Sequence, residues 1–428
     1  MMMKIKLPTC LCGALNNQWL PLPALRKLQN QRLRKIVKHA YENVIYYRRL
    51  FRRAGILPED IQTAEDLVKI PITYKSNLQY QDGAEFLSKT NRSRIITMAT
   101  SGGTGFPLEA KLTQGEYTYW KILLLRALLD GGARLSDNFV VLAHPLRFPK
   151  QKKWFQYFGI LKHKYVSALE PPENFTAQII KSKPDIILGY GGALKLFLRE
   201  LQKKPGVKRF PRLIFSSAER LDNETRILAR QLLGVDIIDL YSTVETGPLA
   251  CECKQHRGYH INMDAVAIEC IDNRGYPQIG KSGRIVCTNL FNFTMPFIRY
   301  CVDDIGILTD NQCVCGRGSV LLKSLEGKTS DFLVLKDKVI SPVAAETILK
   351  KYVFKARYRI IQHDMHAMDL ELLPGLGFDA KTIPNIKKGI QDDLDCADIN
   401  INVKLVNSGF FNQEKFRTVI SYVPGIFS

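Results

Sequence analysis

The sequence predicts an α/β protein. A large N-terminal domain has mainly parallel sheets flanked by helices and includes a β-rich subdomain, and a small α+β domain follows it. Three observations carry that reading. Short apolar runs bounded by turns alternate with helical patterns between residues 95 and 241, the sign of crossovers and a largely parallel sheet. From about Tyr259 the helical patterns stop and short β-rich segments take over. Beyond Glu326-Gly327-Lys328 a unit of roughly a hundred residues mixes both patterns. The expected domains are therefore 1–326, with 1–90 as a helical lead-in, and 327–428.

Each element has a residue-level reason. Leu25, Leu28, Leu33, Ile36, Val37, Ala40, Val44 and Ile45 recur at three-to-four spacing, which predicts helix up to Arg53, ended by Gly55. Pro58-Glu59-Asp60 opens a short capped helix, and another follows Tyr74-Lys75. A strand-like run, 95–98, precedes Thr100-Ser101-Gly102-Gly103-Thr104-Gly105-Phe106-Pro107. Three glycines and three hydroxyls there offer backbone N–H and O–H donors to an anion, so the stretch is a candidate phosphate cradle as well as a candidate plain turn. A helix is predicted over 114–129, closed by Gly131-Gly132. Strands are predicted at 139–143, 166–168, 184–188, 213–217 and 235–241, with helices over 174–181, 193–202 and 222–233 between them. In such sheets ligands sit at the carboxyl ends of strands, so the glycine loop, Ser217-Ala218-Glu219 and Tyr241–Gly247 can converge on one cleft. The β-rich segments are 265–271, 284–290, 297–301 and 306–309. The last unit is read from 332–335, 344–351, 357–362, 369–373 and 386–394.

With 428 residues and ordinary apolar content, the chain can bury a sizeable core, and no apolar run reaches the ~20 residues of a membrane span. No signal peptide is read at the start. Ten cysteines, several clustered with histidine, favour a reducing compartment and metal ligation over a disulfide framework. The formal net charge is +20. Much of it lies between Arg26 and Arg53, and in Lys150, Lys152, Lys153, Lys162 and Lys164, interleaved with Trp154, Phe155, Tyr157 and Phe158. Such interleaving suits a membrane surface or a solvated helix face; nucleic acid is not expected. The expected location is cytoplasmic, with peripheral contact at the inner membrane face as a second option.

A separate constellation is Cys251-Glu252-Cys253-Lys254-Gln255-His256 with Cys313-Val314-Cys315. Thiolates and an imidazole at close spacing suit tetrahedral Zn²⁺, with Cys253, His256, Cys313 and Cys315 as the expected structural set. Cys251 is spare or replaces one of the four, and buried free cysteines are the alternative.

The ordered motifs together resemble the adenylate-forming superfamily, and within it the phenylacetate–CoA ligase group and its capsular-polysaccharide-biosynthesis relatives. The resemblance spans about Tyr46 to Lys415. The glycine loop (Thr100, Ser101, Gly102, Gly103, Thr104, Gly105) matches the family's phosphate loop, with Gly103 in place of a hydroxyl residue and Phe106 in place of lysine. Ser217, Ala218 and Glu219 match the segment flanking adenine. Tyr241-Ser242-Thr243-Val244-Glu245 matches the stretch whose tyrosine stacks on adenine and whose glutamate holds Mg²⁺. Met295–Tyr300 through Asp303-Asp304 matches the ribose-binding stretch, with Asp304 on the hydroxyls. Gly327-Lys328-Thr329-Ser330-Asp331 matches the hinge before a mobile lid. Lys415, in Glu414-Lys415-Phe416-Arg417, stands for the lysine of the adenylation half-reaction. His144 falls where the family places a residue gating the acyl pocket, and Tyr190 with Gly191 and Gly192 is expected to line it.

The resemblance implies a ligase dependent on ATP and Mg²⁺. It would activate a small carboxylic acid as an acyl-adenylate and pass the acyl group to coenzyme A, an amine or a sugar acceptor, with capsular or surface polysaccharide synthesis as one setting. The alternative expectation is a catalytically degenerate adenylating fold serving as a basic, membrane-associated partner in polysaccharide assembly. Pocket composition does not name the acid.

Overall fold

The computed structural model describes residues 7–79, 83–90, 94–99, 108–145, 148–149, 154–204, 206, 211–328, 332–336, 339–340, 342–353, 356–374, 378–406 and 418–423. The chain opens with helices α1 (Leu7–Asn17), α2 (Leu22–Asn43) and α3 (Ile45–Ala54). The single helical stretch expected up to Arg53 is thus two helices. Val44 adopts an extended conformation (φ −118°, ψ 119°) at the break, and the Arg48 guanidinium donates to the carbonyls of Tyr41 and Glu42 that the ended helix leaves open. The apolar stripe of α2, with Leu33, Ile36, Val37 and Ala40, joins Phe51 of α3 in one core with Phe297, Ile298 and Tyr300 from the β-rich region. The lead-in therefore packs directly against the segment that carries the candidate ribose residue.

A short helix α4 (Lys75–Gln79) follows, and then an antiparallel ribbon, β1 (Ile95–Ala99) with β2 (Glu109–Thr113), whose strands lie on either side of the glycine loop in sequence. Helix α5 (Gln114–Asp130) follows at once. A capping box starts it: Thr113 Oγ1 accepts from the Glu116 backbone N–H while the Glu116 carboxylate accepts from the Thr113 backbone N–H. The same carboxylate accepts from the backbone N–H groups of Phe293 and Thr294, so the helix start is fixed to the β-rich region as well.

The alternating pattern then folds as expected: β3 (Asn138–Ala143), α6 (Trp154–Tyr157), β4 (Lys162–Ser167), α7 (Pro172–Ser182), β5 (Ile186–Tyr190), α8 (Gly191–Gln202), β6 (Leu213–Ser217), α9 (Asn223–Leu233) and β7 (Ile237–Thr243). β4, β3, β5, β6 and β7 lie side by side, all parallel. Their near-continuous apolar runs suit a sheet covered on both faces. From β7 onward the same sheet turns antiparallel through β8 (Gly247–Glu252), β9 (Tyr259–Ile261), β10 (Val266–Ile271), β11 (Ser282–Asn289), β12 (Tyr300–Thr309) and β13 (Leu321–Lys328). The full order of the 11-stranded sheet is β10-β11-β12-β13-β9-β8-β7-β6-β5-β3-β4. The sequence pattern missed β8, β9 and β13. It also split β12 in two, because a register shift opposite Arg284–Val286 and a positive φ at Asp303 (62°) interrupt its alternation.

The C-terminal unit contains a small ribbon, β14 (Leu333–Val334) with β15 (Val339–Ile340), then α10 (Pro342–Tyr352), β16 (Ala356–Asp364), β17 (Ala367–Pro374), α11 (Ile383–Asp393), β18 (Asn400–Leu405) and β19 (Val419–Ser421). Its four-stranded sheet, ordered β18-β17-β16-β19, buries Ile360, Leu370 and Leu372 against Leu349 of α10 and Ile386 and Ile390 of α11. The large sheet continues to Lys328 through β13, and this separate core begins beyond it.

Candidate functional site

The carboxyl ends of the parallel strands gather most of the expected residues. Tyr241, at the end of β7, donates its phenol to Asp304 Oδ2 on β12 at 2.7 Å. Burial, and then the Asp304 carboxylate, push that phenol well above its ordinary range, so it remains a donor. Asp304 faces Lys328 across the β12–β13 pair. The turn after β7 is closed by Thr243 Oγ1, which accepts from the Thr246 N–H at 3.1 Å and lies 2.7 Å from Thr246 Oγ1. Ser242 belongs to the same strand end. At Gly247 the chain has φ +85° and an added Cβ would lie 2.8 Å from Trp120 Cδ1, so a side chain would displace this turn. Inside the turn, Glu245 Oε1 lies 3.4 Å from the Tyr300 hydroxyl, which donates to it. Tyr300 is part of the Met295–Tyr300 stretch that the resemblance aligns, yet the sequence assigns it no role; its position becomes visible only when β12 lies beside the β7–β8 turn.

A second group borders the first. Ala218 takes a left-handed conformation (φ 69°), and the adjacent Glu219 carboxylate accepts the Gly192 N–H at 2.8 Å. A Cβ on Gly192 would be 3.0 Å from that carboxylate oxygen, so glycine permits the approach. This joins Ser217–Glu219, expected at the nucleotide, to Tyr190-Gly191, expected at the acyl pocket. The Tyr190 hydroxyl in turn accepts from the His144 backbone N–H at 3.4 Å, which sets the loop after β3 beside the end of β5. The glycine loop, 100–107, and Ser330, Asp331 and Lys415 lie outside the described residues.

Behind this cleft, α5 is held by a buried ion pair. Arg126 forks onto Asp264, Nη1 to Oδ2 and Nη2 to Oδ1, both at 3.0 Å. It also donates to Asn262 Oδ1 and to the Ala14 carbonyl, each at 2.7 Å. Burial alone would raise the Asp264 carboxyl, but the Arg126 guanidinium holds it below the usual carboxylate range. One arginine thus ties α5 and α1 to the turn before β10.

The metal constellation forms with one correction. Cys253, Cys313 and Cys315 come together with His260, not His256, and their ligand atoms all lie within 4.8 Å of one another. The Cys253 and Cys313 sulfurs are 3.6 Å apart, and the Cys315 sulfur is 3.3 Å from His260 Nε2. Tetrahedral Zn²⁺ with metal–sulfur bonds of about 2.3 Å requires neighbouring sulfurs about 3.8 Å apart, so the spacing fits the ion. The other ring nitrogen, His260 Nδ1, sits 2.9 Å from Ser319 Oγ, a partner that orients the ring with Nε2 toward the thiols. Burial, then Arg317, push His260 down to about 4, keeping it neutral as a ligand must be.

His256 lies in the β8–β9 hairpin turn with φ 48°, and its Nδ1 is 3.3 Å from Glu252 Oε2. The hairpin register pairs Cys251 with His260, which returns position 260, and not 256, to the cysteines. Cys251 itself is buried in the core with Phe139 and Phe215 and is not one of the four. The purified protein is expected to contain about one equivalent of zinc. Stripping it, or replacing Cys313 with Ser, should lower the melting temperature. A metal-free protein with an unchanged melting temperature would refute the site.

No protein-family profile matches the chain. Among curated proteins it is 28% identical over 344 residues to the phenylacetate-coenzyme A ligase of Thermus thermophilus, covering 77% of this chain and 76% of that protein. It is 27% identical over 337 residues to the Escherichia coli enzyme of the same name, covering 77% and 76%. Among solved structures, 2-hydroxyisobutyryl-CoA ligase in its postadenylation state superposes with a TM-score of 0.77 at 18% identity, over 95% of this chain and 91% of that one. An anthranilate CoA ligase bound to anthranoyl-AMP gives a TM-score of 0.53 at 16% identity, over 77% and 65%. These similarities support the adenylate-forming superfamily, and within it the phenylacetate–CoA ligase-like group, as the chain's family.

The parallel half of the sheet, the β-rich region and the small C-terminal unit match the parts of one adenylate-forming fold. Among the described residues, the Glu245 carboxylate accepts one hydrogen bond, from Tyr300, out of the about four a carboxylate can accept. The described candidate residues thus fall into two groups at neighbouring strand ends, Tyr241, Asp304, Glu245 and Tyr300 in one, and the Ser217–Glu219 segment, Tyr190 and His144 in the other.

Proposed function

We propose that the chain uses ATP to convert a small carboxylic acid into an acyl-adenylate and then transfers the acyl group to the thiol of coenzyme A. The observation that supports this most is the meeting of the Tyr241–Asp304 and Glu245–Tyr300 pairs at the carboxyl end of β7. Asp304 would accept hydrogen bonds from the ribose hydroxyls while Tyr241 presents its ring to the base. Glu245 would hold Mg²⁺, which neutralises charge on the phosphate oxygens when bound. Attack of the carboxylate on the α-phosphorus places new charge on the phosphoryl oxygens and the departing pyrophosphate. Rate enhancement then comes chiefly from positioning and electrostatics: donors from the 100–105 loop, and Lys415 carried by the 327–428 unit acting as a lid. Phe106 contributes no charge there, so the cationic share falls on Mg²⁺, Lys415 or another basic residue such as Lys111. Lid closure would also exclude water from the acyl-adenylate. The Cys253/His260/Cys313/Cys315 set would hold a structural zinc that clamps the β8–β9 hairpin to the loop before β13.

Pyrophosphate–ATP exchange tests the first half-reaction, with thioester formation from coenzyme A testing the second. Exchange with one acid of a panel supports the proposal; binding of coenzyme A without any acid-dependent exchange would leave the non-catalytic alternative. Among the described residues of the cleft, none favours the amine or sugar acceptors, or the capsular setting, over coenzyme A.

A further inference from the structure

Away from the cleft, the other edge of the parallel sheet presents an unusual surface. Tyr157 and Phe158 are 75% and 77% exposed, and Ile160 and Leu135 are exposed beside them. The Leu161 N–H donates to the Leu135 carbonyl at 2.6 Å, which joins the loop before β4, with Tyr157, Phe158 and Ile160, to the segment before β3 that carries Leu135. Large aromatic side chains left so open in a cluster mark an interaction site rather than ordinary surface.

The charge around the patch has one sign. Lys162 opens β4, the edge strand of the sheet, and Lys164 lies two residues on; both are exposed. Lys164 Nζ donates to Ser182 Oγ at 2.7 Å, which brings up exposed Lys181 and Lys183 at the end of α7. Arg134, beside Leu135, is exposed too. Asp137, close by, is buried and bonded to Arg212, and Asp185 accepts from the Asn138 N–H at 2.9 Å, so both carboxylates are engaged. Lys150, Lys152 and Lys153 lie outside the described residues.

Position matters as much as composition. The patch sits where β3, β4 and β5 begin, whereas Tyr241, Glu219, Tyr190 and His144 follow strand ends. A surface bound here leaves the cleft uncovered. No described helix is long and apolar enough to cross a membrane, so any bilayer contact is peripheral.

We propose that this edge docks the protein on an anionic lipid bilayer, with Tyr157 and Phe158 entering the headgroup region and the lysines facing acidic headgroups. Aromatic side chains partition to that interface, and each lysine near an anionic surface adds roughly a fivefold gain in binding. Apolar insertion and basic attraction together supply the two signals stable peripheral binding needs. The proposal does not rest on the ligase reading, since no cleft residue lies at this edge.

Co-sedimentation of the full chain with vesicles decides it, using phosphatidylcholine alone or with roughly one-third phosphatidylglycerol. Binding is expected to the anionic vesicles and to weaken with added salt. The pair Tyr157→Ser and Phe158→Ser should cut it about tenfold. The pair Lys162→Glu and Lys164→Glu should cut it at least as far and flatten the salt dependence. All four side chains are exposed, so pyrophosphate exchange and melting temperature should not change. Failure of the wild type to bind, equal binding to neutral vesicles, or insensitivity to both variants would overturn the proposal. So would an aromatic variant that turns a dimer into a monomer when vesicles bind neither form, because a second copy would then be the occupant.

Discussion

Replacing Glu245 with Gln should reduce acid-dependent pyrophosphate exchange by about a hundredfold or more while leaving the fold intact. The carboxylate is only half-buried, and its described contact is the Tyr300 hydroxyl at 3.4 Å, which an amide oxygen can also accept. What the amide cannot do is bind a divalent cation with comparable strength, and the charge developing on the phosphoryl oxygens loses its counterweight. The loss should appear in kcat and be partly relieved at high Mg²⁺, with the melting temperature unchanged. Exchange within threefold of wild type would remove Glu245 from the active site.

The largest stability effect is expected at Arg126. Arg126→Met leaves the Asp264 carboxylate, 2% exposed at its side chain, without its bidentate partner. Breaking such a pair from one side costs about 3–5 kcal/mol where the remaining charge stays buried with no other partner, which sets the upper bound here. The Tyr119 hydroxyl, 3.5 Å from Asp264, and Asn17 supply no counter-charge, but the Arg32 guanidinium, which donates to the Asp264 carbonyl and helps hold its carboxyl down, offsets part of the loss. Replacing both partners, Arg126→Met with Asp264→Leu, should recover much of the loss, since two apolar groups need no compensation. Urea unfolding of the single and double variants separates the two terms. Because only β2 separates α5 from the glycine loop, the single variant should also weaken ATP binding, whereas the double variant should restore it.

These residues also show what a linear sequence can and cannot reveal. The parallel half was legible because its strands are short apolar runs punctuated by turn residues, and each helix between them has its own period. Tyr241, Asp304 and Glu245 were legible as motif positions. Their mutual contacts were not, because β12 reaches the β7–β8 turn only after the sheet has reversed direction. The antiparallel strands were harder. β9 is three residues long, and β12 is interrupted by the positive φ at Asp303. His260 was overlooked for His256 because spacing along the chain is a poor guide across a hairpin, where register decides which residue returns to the cysteines. Arg126 and Asp264 are 138 residues apart, and nothing in either local sequence marks them as partners. Tyr157 and Phe158 were visible as a basic and aromatic cluster, but only the fold sets them at the strand starts, away from the cleft.

In the proposed reaction the Tyr241–Asp304 and Glu245–Tyr300 pairs form the adenylating site. Acid-dependent exchange of labelled pyrophosphate into ATP, measured across a panel of small aryl and alkyl carboxylic acids, tests it most directly. Exchange with at least one acid that disappears in Lys415→Ala is the predicted result. Tight ATP binding with no exchange for any acid, in protein that retains its cooperative unfolding, would contradict it.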